Sequence, residues 1–354
     1  MKTQVIKLDP QFPDLNEIRN CAKIIQQGGL VVFPTETVYG IAANYVNPQA
    51  MQRLREAKKR SENKHFSVII SQPSLISNYT NMTDPLLFKL IGAYWPGPLT
   101  IVVPAKKEGQ TVGVRMPDHE IAIRLTQSCP FPVAAPSANF ENNPPPRTCE
   151  EALRDLNGLV DIAIDGGPAR IGKGSTVVDI TDGKIKILRD GAIPAAEIEK
   201  TAKRKNILFV CTGNSCRSVM GEYLLRNLLK GRDDVDIRSA GTGVFLQSSA
   251  SQETISVLRE EGIDASRHIA QPINNLLLKK ADLIFALTRT HRQQILERAP
   301  SVEQRVYLLG EFASSPSSFQ TDLDIPDPIG GTHEEYERCK AVIKNTVMKI
   351  KELV

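Results

Sequence analysis

Val210-Cys211-Thr212-Gly213-Asn214-Ser215-Cys216-Arg217-Ser218 lies between an apolar run, Ile207-Leu208-Phe209-Val210, and a segment, Val219 to Leu229, with helical spacing. The run reads as a buried strand. A strand, a tight loop and a helix N-terminus in succession make an anion cradle, because loop amides converge and the helix dipole favours negative charge. A cysteine held there has its thiolate stabilised, so Cys211 is a candidate nucleophile near neutral pH. Arg217 can grip two phosphate oxygens in its planar fork. Ser218, at the helix start, can donate a hydrogen bond to the Cys211 thiolate. Thr212, Gly213, Asn214, Ser215 and Cys216 complete the phosphate loop. The chemistry indicated is cleavage of a phosphate ester or phosphoramidate. That chemistry also needs an acid for the leaving group. Asp324-Ile325-Pro326-Asp327-Pro328-Ile329-Gly330-Gly331 is a proline-punctuated loop suited to carry one, and Asp327 is the candidate.

Outward from this loop, strand patterns recur at Val235–Ser239 and Leu283–Leu287 with helical segments between, the pattern of a doubly wound parallel sheet. The charged stretch Glu197 to Asn206 separates this half from an earlier one. Two domains are expected, about 1–200 and 205–354, in a chain of 354 residues. In the first, Leu30–Pro34, Ser67–Ile70, Leu99–Val103 and Thr176–Ile180 read as strands, Pro48 to Lys59 as a helix, and Pro144-Pro145-Pro146 as a stiff loop. Net charge is +4, which argues against a dedicated nucleic-acid coating protein. The first residues hold no signal-peptide core and no apolar stretch reaches membrane-spanning length, so no membrane association and a cytoplasmic setting are expected. The six cysteines lack the density of a disulfide scaffold and the paired spacing of a zinc site, so no metal site is expected.

The second half resembles the low-molecular-weight protein phosphatases. The cysteine loop, Arg238-Ser239-Ala240-Gly241-Thr242, Ala281-Asp282-Leu283-Ile284 with Thr288-Arg289-Thr290-His291, and Asp327-Pro328 follow in the family's order. The resemblance implies Cys211 as nucleophile, Arg217 as phosphate ligand, Asp327 as acid and a phosphorylated protein as substrate. Members acting on phosphotyrosine usually carry a bulky aliphatic residue where Ser215 stands, and aromatic residues just after the acid's proline. Here those later positions are Ile329 and Gly330. Members acting on phosphoarginine have a small hydroxyl residue in the loop and a glycine pair after the Asp-Pro. A hydroxyl can hydrogen-bond a guanidinium and an isoleucine cannot. Phosphoarginine is therefore the first choice of substrate and phosphotyrosine the second. Arsenate reduction needs relay cysteines, and only Cys339 follows Cys216. Cys211 and Cys216 either pair in a protective disulfide on oxidation, or Cys216 simply packs.

The first half shows no nucleophile–histidine set or acid–base dyad. It carries polar clusters at strand ends: Pro34-Thr35-Glu36-Thr37-Val38-Tyr39-Gly40, Lys58-Lys59-Arg60 with Lys64, Gly113–Pro117, Pro136-Ser137-Ala138-Asn139, Gly174-Ser175-Thr176 and Leu188-Arg189. Each cluster alone fits ordinary capping or a solvated helix end. Together, hydroxyls with four or five cations suggest a pocket for a polyphosphate and a small polar substrate.

These clusters, with Trp95–Thr100 and Asp165-Gly166-Gly167-Pro168, resemble the threonylcarbamoyl-AMP synthase family (the YrdC-like fold) in order and approximate spacing. The resemblance implies a twisted mixed α/β sheet binding L-threonine, bicarbonate and ATP. It implies Mg2+ carried on the ATP phosphates without dedicated protein ligands, and a product passed to the tRNA threonylcarbamoyl-transfer machinery. By resemblance Lys58, Arg60 and Lys64 face ATP phosphates, Thr111, Ser137, Asn139 and Arg189 face the nucleotide, and Thr35, Thr37, Arg115 and Ser175 face threonine. Two departures stand out. Ser61 replaces the proline of the family's Lys-x-Arg-Pro, with His65-Phe66 in place of a proline-leucine pair, and Asn143–Pro146 replaces a small hydroxyl that touches ATP. The competing reading is an RNA-binding module without synthase activity, in which a basic concave face holds double-stranded RNA. Aromatics total only 5%, which leaves little for base stacking.

Overall fold

The computed structural model describes residues 2–61, 65–312 and 323–353. They divide into two compact units, Met1–Met82 with Lys89–Ala202, and Thr83–Phe88 with Lys203–Val354.

The first unit is a mixed sheet of ten strands among the described residues: β1 Gln4–Lys7, β2 Val31–Phe33, β3 Gly40–Asn44, β4 Val68–Ile69, β5 Leu99–Pro104, β6 Thr111–Arg115, β7 Val133–Ala134, β8 Ile162–Asp165, β9 Thr176–Asp179 and β10 Lys186–Arg189. Their order is β1-β8-β2-β3-β7-β4-β6-β5-β9-β10. β2 lies between parallel β8 and antiparallel β3. Strand side chains alternate between faces. Val31 and Phe33 accordingly join the cluster of Ile18, Ile25 and Leu125, while Val32 joins that of Ile41, Leu54 and Ala152. Burial on both sides is why this strand reads as an unbroken apolar run. The helix Leu15–Gln26 is capped by Asp14 and buries Ile18, Cys21, Ala22 and Ile25, one stripe at helical spacing. The helix Pro48–Lys58 starts on the Asn47 cap and ends where Lys59 takes φ +50°. That turn releases Arg60 from the helix. The charged stretch expected as a break is itself ordered: Ala195–Lys203 is helical with Ile198 buried, because its few apolar residues fall on one side.

The second unit is an all-parallel sheet in the order β12-β11-β13-β14, formed by β11 Lys205–Cys211, β12 Val235–Gly241, β13 Leu283–Ala286 and β14 Val306–Leu308. Alternation along β11 sends Ile207 and Phe209 to one core and Leu208 and Val210 to the other. The helices Arg217–Leu228 and His333–Ile350 supply side chains to the first core, and Asn275–Lys280 and Arg289–Arg298 to the second. Helices on both faces make the sheet doubly wound. The chain passes from β11 to β12, then back across β11 to β13. Sites in such sheets lie at the carboxyl ends of strands where the order reverses, here at the end of β11. Gly221 lets the helix approach: a Cβ there would meet the Phe209 ring at 2.7 Å.

Candidate active sites

Cys211 is the last residue of β11 and Arg217 the first of the following helix. Between them Asn214 takes φ +51° and folds the loop back on itself. A buried network holds that bend. Asn214 Nδ2 donates to Ser218 Oγ (3.0 Å) and Ser239 Oγ (2.7 Å), its Oδ1 accepts from the Gln271 amide (2.9 Å), and Ser239 Oγ donates to Glu222. Burial raises the Glu222 carboxyl above its usual range. Ser218 Oγ sits 2.9 Å from Cys211 Sγ, where it can donate to a thiolate. Thr212 Oγ1 lies 2.8 Å from His291 Nε2. Burial, then the nearby Arg217 charge, push the His291 imidazole down to about 4, so it is neutral at pH 7.

Arg217 donates to the Ile325 carbonyl (3.0 Å) and pairs with Asp327, while its Nε is buried without a partner. Cys211, the Arg217 guanidinium and the Asp327 carboxylate thus meet at one loop, and the orphaned Nε is a donor suited to a phosphate oxygen. Cys216 is buried, 3.5 Å from both Ser251 Oγ and Tyr336 Oη. No cysteine is in a disulfide. Cys339 lies in the helix His333–Ile350.

In the first unit one cavity of about 600 Å3 gathers most of the expected residues. Thr35, Arg60, Thr111 and Arg115 line it. So do Ser137, Asn139, Ser175 and Arg189. Among the described residues three guanidinium groups stand here against one carboxylate, Asp190. Arg189 is held below its ordinary value by burial, then by Arg115 and Arg60, which places the three cations within one field. Arg189 Nη2 donates to Ser175 O (2.7 Å) and Oγ (2.9 Å), and Ser175 Oγ lies 2.8 Å from Thr100 Oγ1. Asn139 Nδ2 donates to the carbonyls of Phe140 and Asn143, both at 2.8 Å, leaving Oδ1 buried without a partner.

Two of the expected residues do not line this cavity. Lys58 does not line the cavity. It is buried, and its ammonium donates to the carbonyls of Ser137 and Asn139, fixing the loop that does. Burial brings it down to about 8. Thr37 is likewise behind the wall, 2.9 Å from Thr35 Oγ1 and accepting from Arg115 Nη2 at 2.8 Å. Lys64 lies outside the described residues.

The sequence reading passed over Glu36, which is 2% exposed and accepts from Arg115 Nη2 at 2.6 Å. Its signal was a carboxylate inside an otherwise hydroxyl-bearing turn. It also passed over the role of Phe66. Arg55 and Arg60 stack on that ring with their guanidinium carbons 5.1 and 4.8 Å from its centroid, and Arg60 Nη2 donates to the His65 carbonyl (2.9 Å). The departure at His65-Phe66 is therefore a cationic seat rather than a defect. At the other departure, Asn143 is held by Asp155 at 3.0 Å and lines the cavity beside Pro145.

Exposed Glu260 and His333 with half-buried Glu337 could surround a cation, but Lys340 Nζ stands 2.7 Å from Glu337 and 3.9 Å from Glu260. Among the described residues no helix is long and apolar enough to cross a membrane.

Comparison with known proteins separates the same two regions. A family model described as "Telomere recombination" matches residues 23–191, and one described as "Low molecular weight phosphotyrosine protein phosphatase" matches residues 206–354. A threonylcarbamoyl-AMP synthase of Pyrococcus abyssi is 39% identical over 192 residues, 52% of this chain and 56% of the relative, so the chain spans just over half of that protein's length. A putative threonylcarbamoyl-AMP synthase of Methanocaldococcus jannaschii is 33% identical over 216 residues, 57% of this chain and 99% of the relative. Among solved structures, Pyrococcus abyssi Sua5 complexed with L-threonine is similar with a TM-score of 0.54 and 25% identity, covering 86% of this chain and 99% of that one.

Proposed function

The chain belongs to the threonylcarbamoyl-AMP synthase family, with a low molecular weight phosphatase domain in its second half, and we propose that it is a bifunctional enzyme: the first unit makes L-threonylcarbamoyladenylate and the second removes phosphate from protein side chains, foremost arginine. The observation that carries the first assignment is one cavity in which the described residues place three guanidinium groups, a set of hydroxyls and a single carboxylate. Such a lining favours anions. A structural relative was solved with L-threonine bound.

The reaction suits this lining because it needs no enzyme nucleophile. Threonine's amine and bicarbonate condense to a carbamate, whose oxygen attacks the α-phosphorus of ATP as pyrophosphate leaves. Arg60, Arg115 and Arg189 hold the anions together and offset the charge that builds on phosphorus. Asn139 Oδ1 is an acceptor for the nucleotide, and Thr35 and Ser175 face the amino acid. Asp190 alone cannot make a metal cage, so Mg2+ fits here as a companion of the ATP phosphates. Incubating the full chain with ATP and bicarbonate tests this. Pyrophosphate release that depends on threonine supports synthesis; tight tRNA binding without turnover supports the RNA-binding module instead.

In the second unit the Cys211 thiolate attacks phosphorus, the P–N bond breaks, and Asp327 protonates the departing guanidine nitrogen. Water, with Asp327 now as base, then cleaves the cysteinyl phosphate. Arg217 holds the phosphoryl oxygens through both steps. The preference for phosphoarginine rests on Ser215, which is partly exposed in the loop, and on the residues after Pro328, where Ile329 and Gly330 offer no aromatic face. Hydrolysis rates for phosphoarginine and phosphotyrosine, measured on one preparation, decide between them.

A further inference from the structure

A second cavity of the first unit, about 910 Å3, is lined by a different set of residues, including Lys7, Glu36, Asp118, His119, Glu120 and Arg170. Its charge is opposite to that of the nucleotide cavity. Four carboxylates, Asp9, Glu36, Asp118 and Glu120, stand against Lys7 and Arg170. Arg170 is already paired with Asp118 and Arg124 with Glu120, both at 2.6 Å, so the carboxylate that stands out in this wall is Glu36. Glu36 contributes to the lining although it is 2% exposed. Its Oε1 is taken by Arg115. Oε2 is buried with no hydrogen-bond partner. His119 Nδ1 is a second buried, unpartnered atom in the same wall. Burial holds this imidazole below its ordinary value, so it adds no positive charge at neutral pH. A buried carboxylate oxygen without a donor is costly, and native proteins satisfy such groups. Leu8, Ile123 and Pro168 give the cavity apolar walls beside these groups.

We infer that this cavity is a separate binding site for a small organic cation, an alkylguanidinium or alkylammonium whose N–H groups reach Glu36 Oε2 and whose stem lies on Leu8, Ile123 and Pro168. The orphaned carboxylate oxygen of Glu36 selects the charge and anchors the head, and the apolar wall takes the tail. The assignment concerns a face distinct from the nucleotide cavity and stands whether or not that cavity makes threonylcarbamoyladenylate.

The test is calorimetric titration of the full chain with n-butylguanidinium and with n-butylurea, which is close in size and uncharged. Saturable binding of the cation is expected, with the urea at least about tenfold weaker, the loss that follows from replacing a charge-assisted hydrogen bond. Ile123→Trp, which fills the cavity and leaves Glu36 in place, is expected to abolish binding. Glu36→Gln is expected to weaken the cation about tenfold or more and to leave the urea unchanged. Equal weak binding of both compounds overturns the inference. So does cation binding that survives Ile123→Trp, because it then occurs elsewhere on the chain.

Discussion

The cysteine loop and the 600 Å3 cavity are both proposed to receive phosphorylated groups, but they are assembled over different lengths of chain. Nucleophile, amides and arginine of the loop all fall between Cys211 and Ser218, and only Asp327 arrives from afar. The cavity draws on positions from Thr35 to Arg189, carried by several strands and the loops that follow them. In the loop the backbone itself orients the chemistry. In the cavity orientation is handed on: Arg189 is held by Ser175, Arg60 by Phe66, and the Ser137–Asn139 turn by Lys58. A compact motif therefore fails at one atom, whereas a distributed one degrades in steps.

The largest expected effect follows directly. Cys211→Ser removes the proposed nucleophile, and phosphatase turnover is expected to fall by about 10^4-fold or more. Threonine-dependent pyrophosphate release by the same preparation should be unchanged. Parallel loss of both activities would show that the two sites do not work independently.

Ser215→Ile comes next. It replaces a hydroxyl that can bond a guanidinium with a group that cannot, so the ratio of phosphoarginine to phosphotyrosine hydrolysis should drop by about 10^2-fold. Side-by-side kcat/KM values for the two substrates read this out. An unchanged ratio would move the source of specificity away from the loop.

The same contrast explains what the sequence disclosed. The cysteine loop was legible because its residues are contiguous and lie between a buried strand and a helix. The strand β2 was legible because burial on both faces leaves a plain apolar run. The carbonyl contacts of Lys58 were not legible because a cation near a helix end looks alike in sequence whether it points to solvent, to phosphate or to two carbonyls. Nothing local distinguishes them; the Ser137–Asn139 turn that captures it lies some 80 positions later. Glu36 was passed over for a similar reason, since its partner Arg115 is 79 residues away. The helix Ala195–Lys203 was hidden by charge, its single buried residue, Ile198, being too little for a periodic signal.

A gentler effect is expected where the cavity relies on support. Phe66→Leu keeps most of the buried volume and removes the ring face beneath Arg60. Cation–π seats of this kind are worth roughly 0.5–2 kcal/mol, so KM for ATP should rise about twofold to thirtyfold. KM for threonine should move less, because Arg115 is fixed by Glu36, Thr37 and the Gly97 carbonyl instead. Equal shifts in both constants would mean that the ring supports the whole cavity rather than Arg60.

The smallest effect concerns the neutral imidazole beside the phosphate loop. His291 lies 2.8 Å from hydroxyls on both sides, Thr212 and Thr288, and its value is about 4 against an ordinary 6.5. Between those values the unfolded chain binds a proton that the folded chain refuses, so folding stability rises with pH across the window. The contribution is complete above about pH 6.5 and is lost as pH falls towards 4. Gln at this position can bond one hydroxyl and does not titrate. His291→Gln should therefore flatten the acid side of the stability curve, read as hydrogen-exchange protection of the Lys205–Cys211 amides between pH 6.5 and 4. A slope equal to wild type would assign the acid sensitivity of this half to its carboxylates. Because the loop is compact, a change confined to one imidazole should register on β11, which ends in the nucleophile.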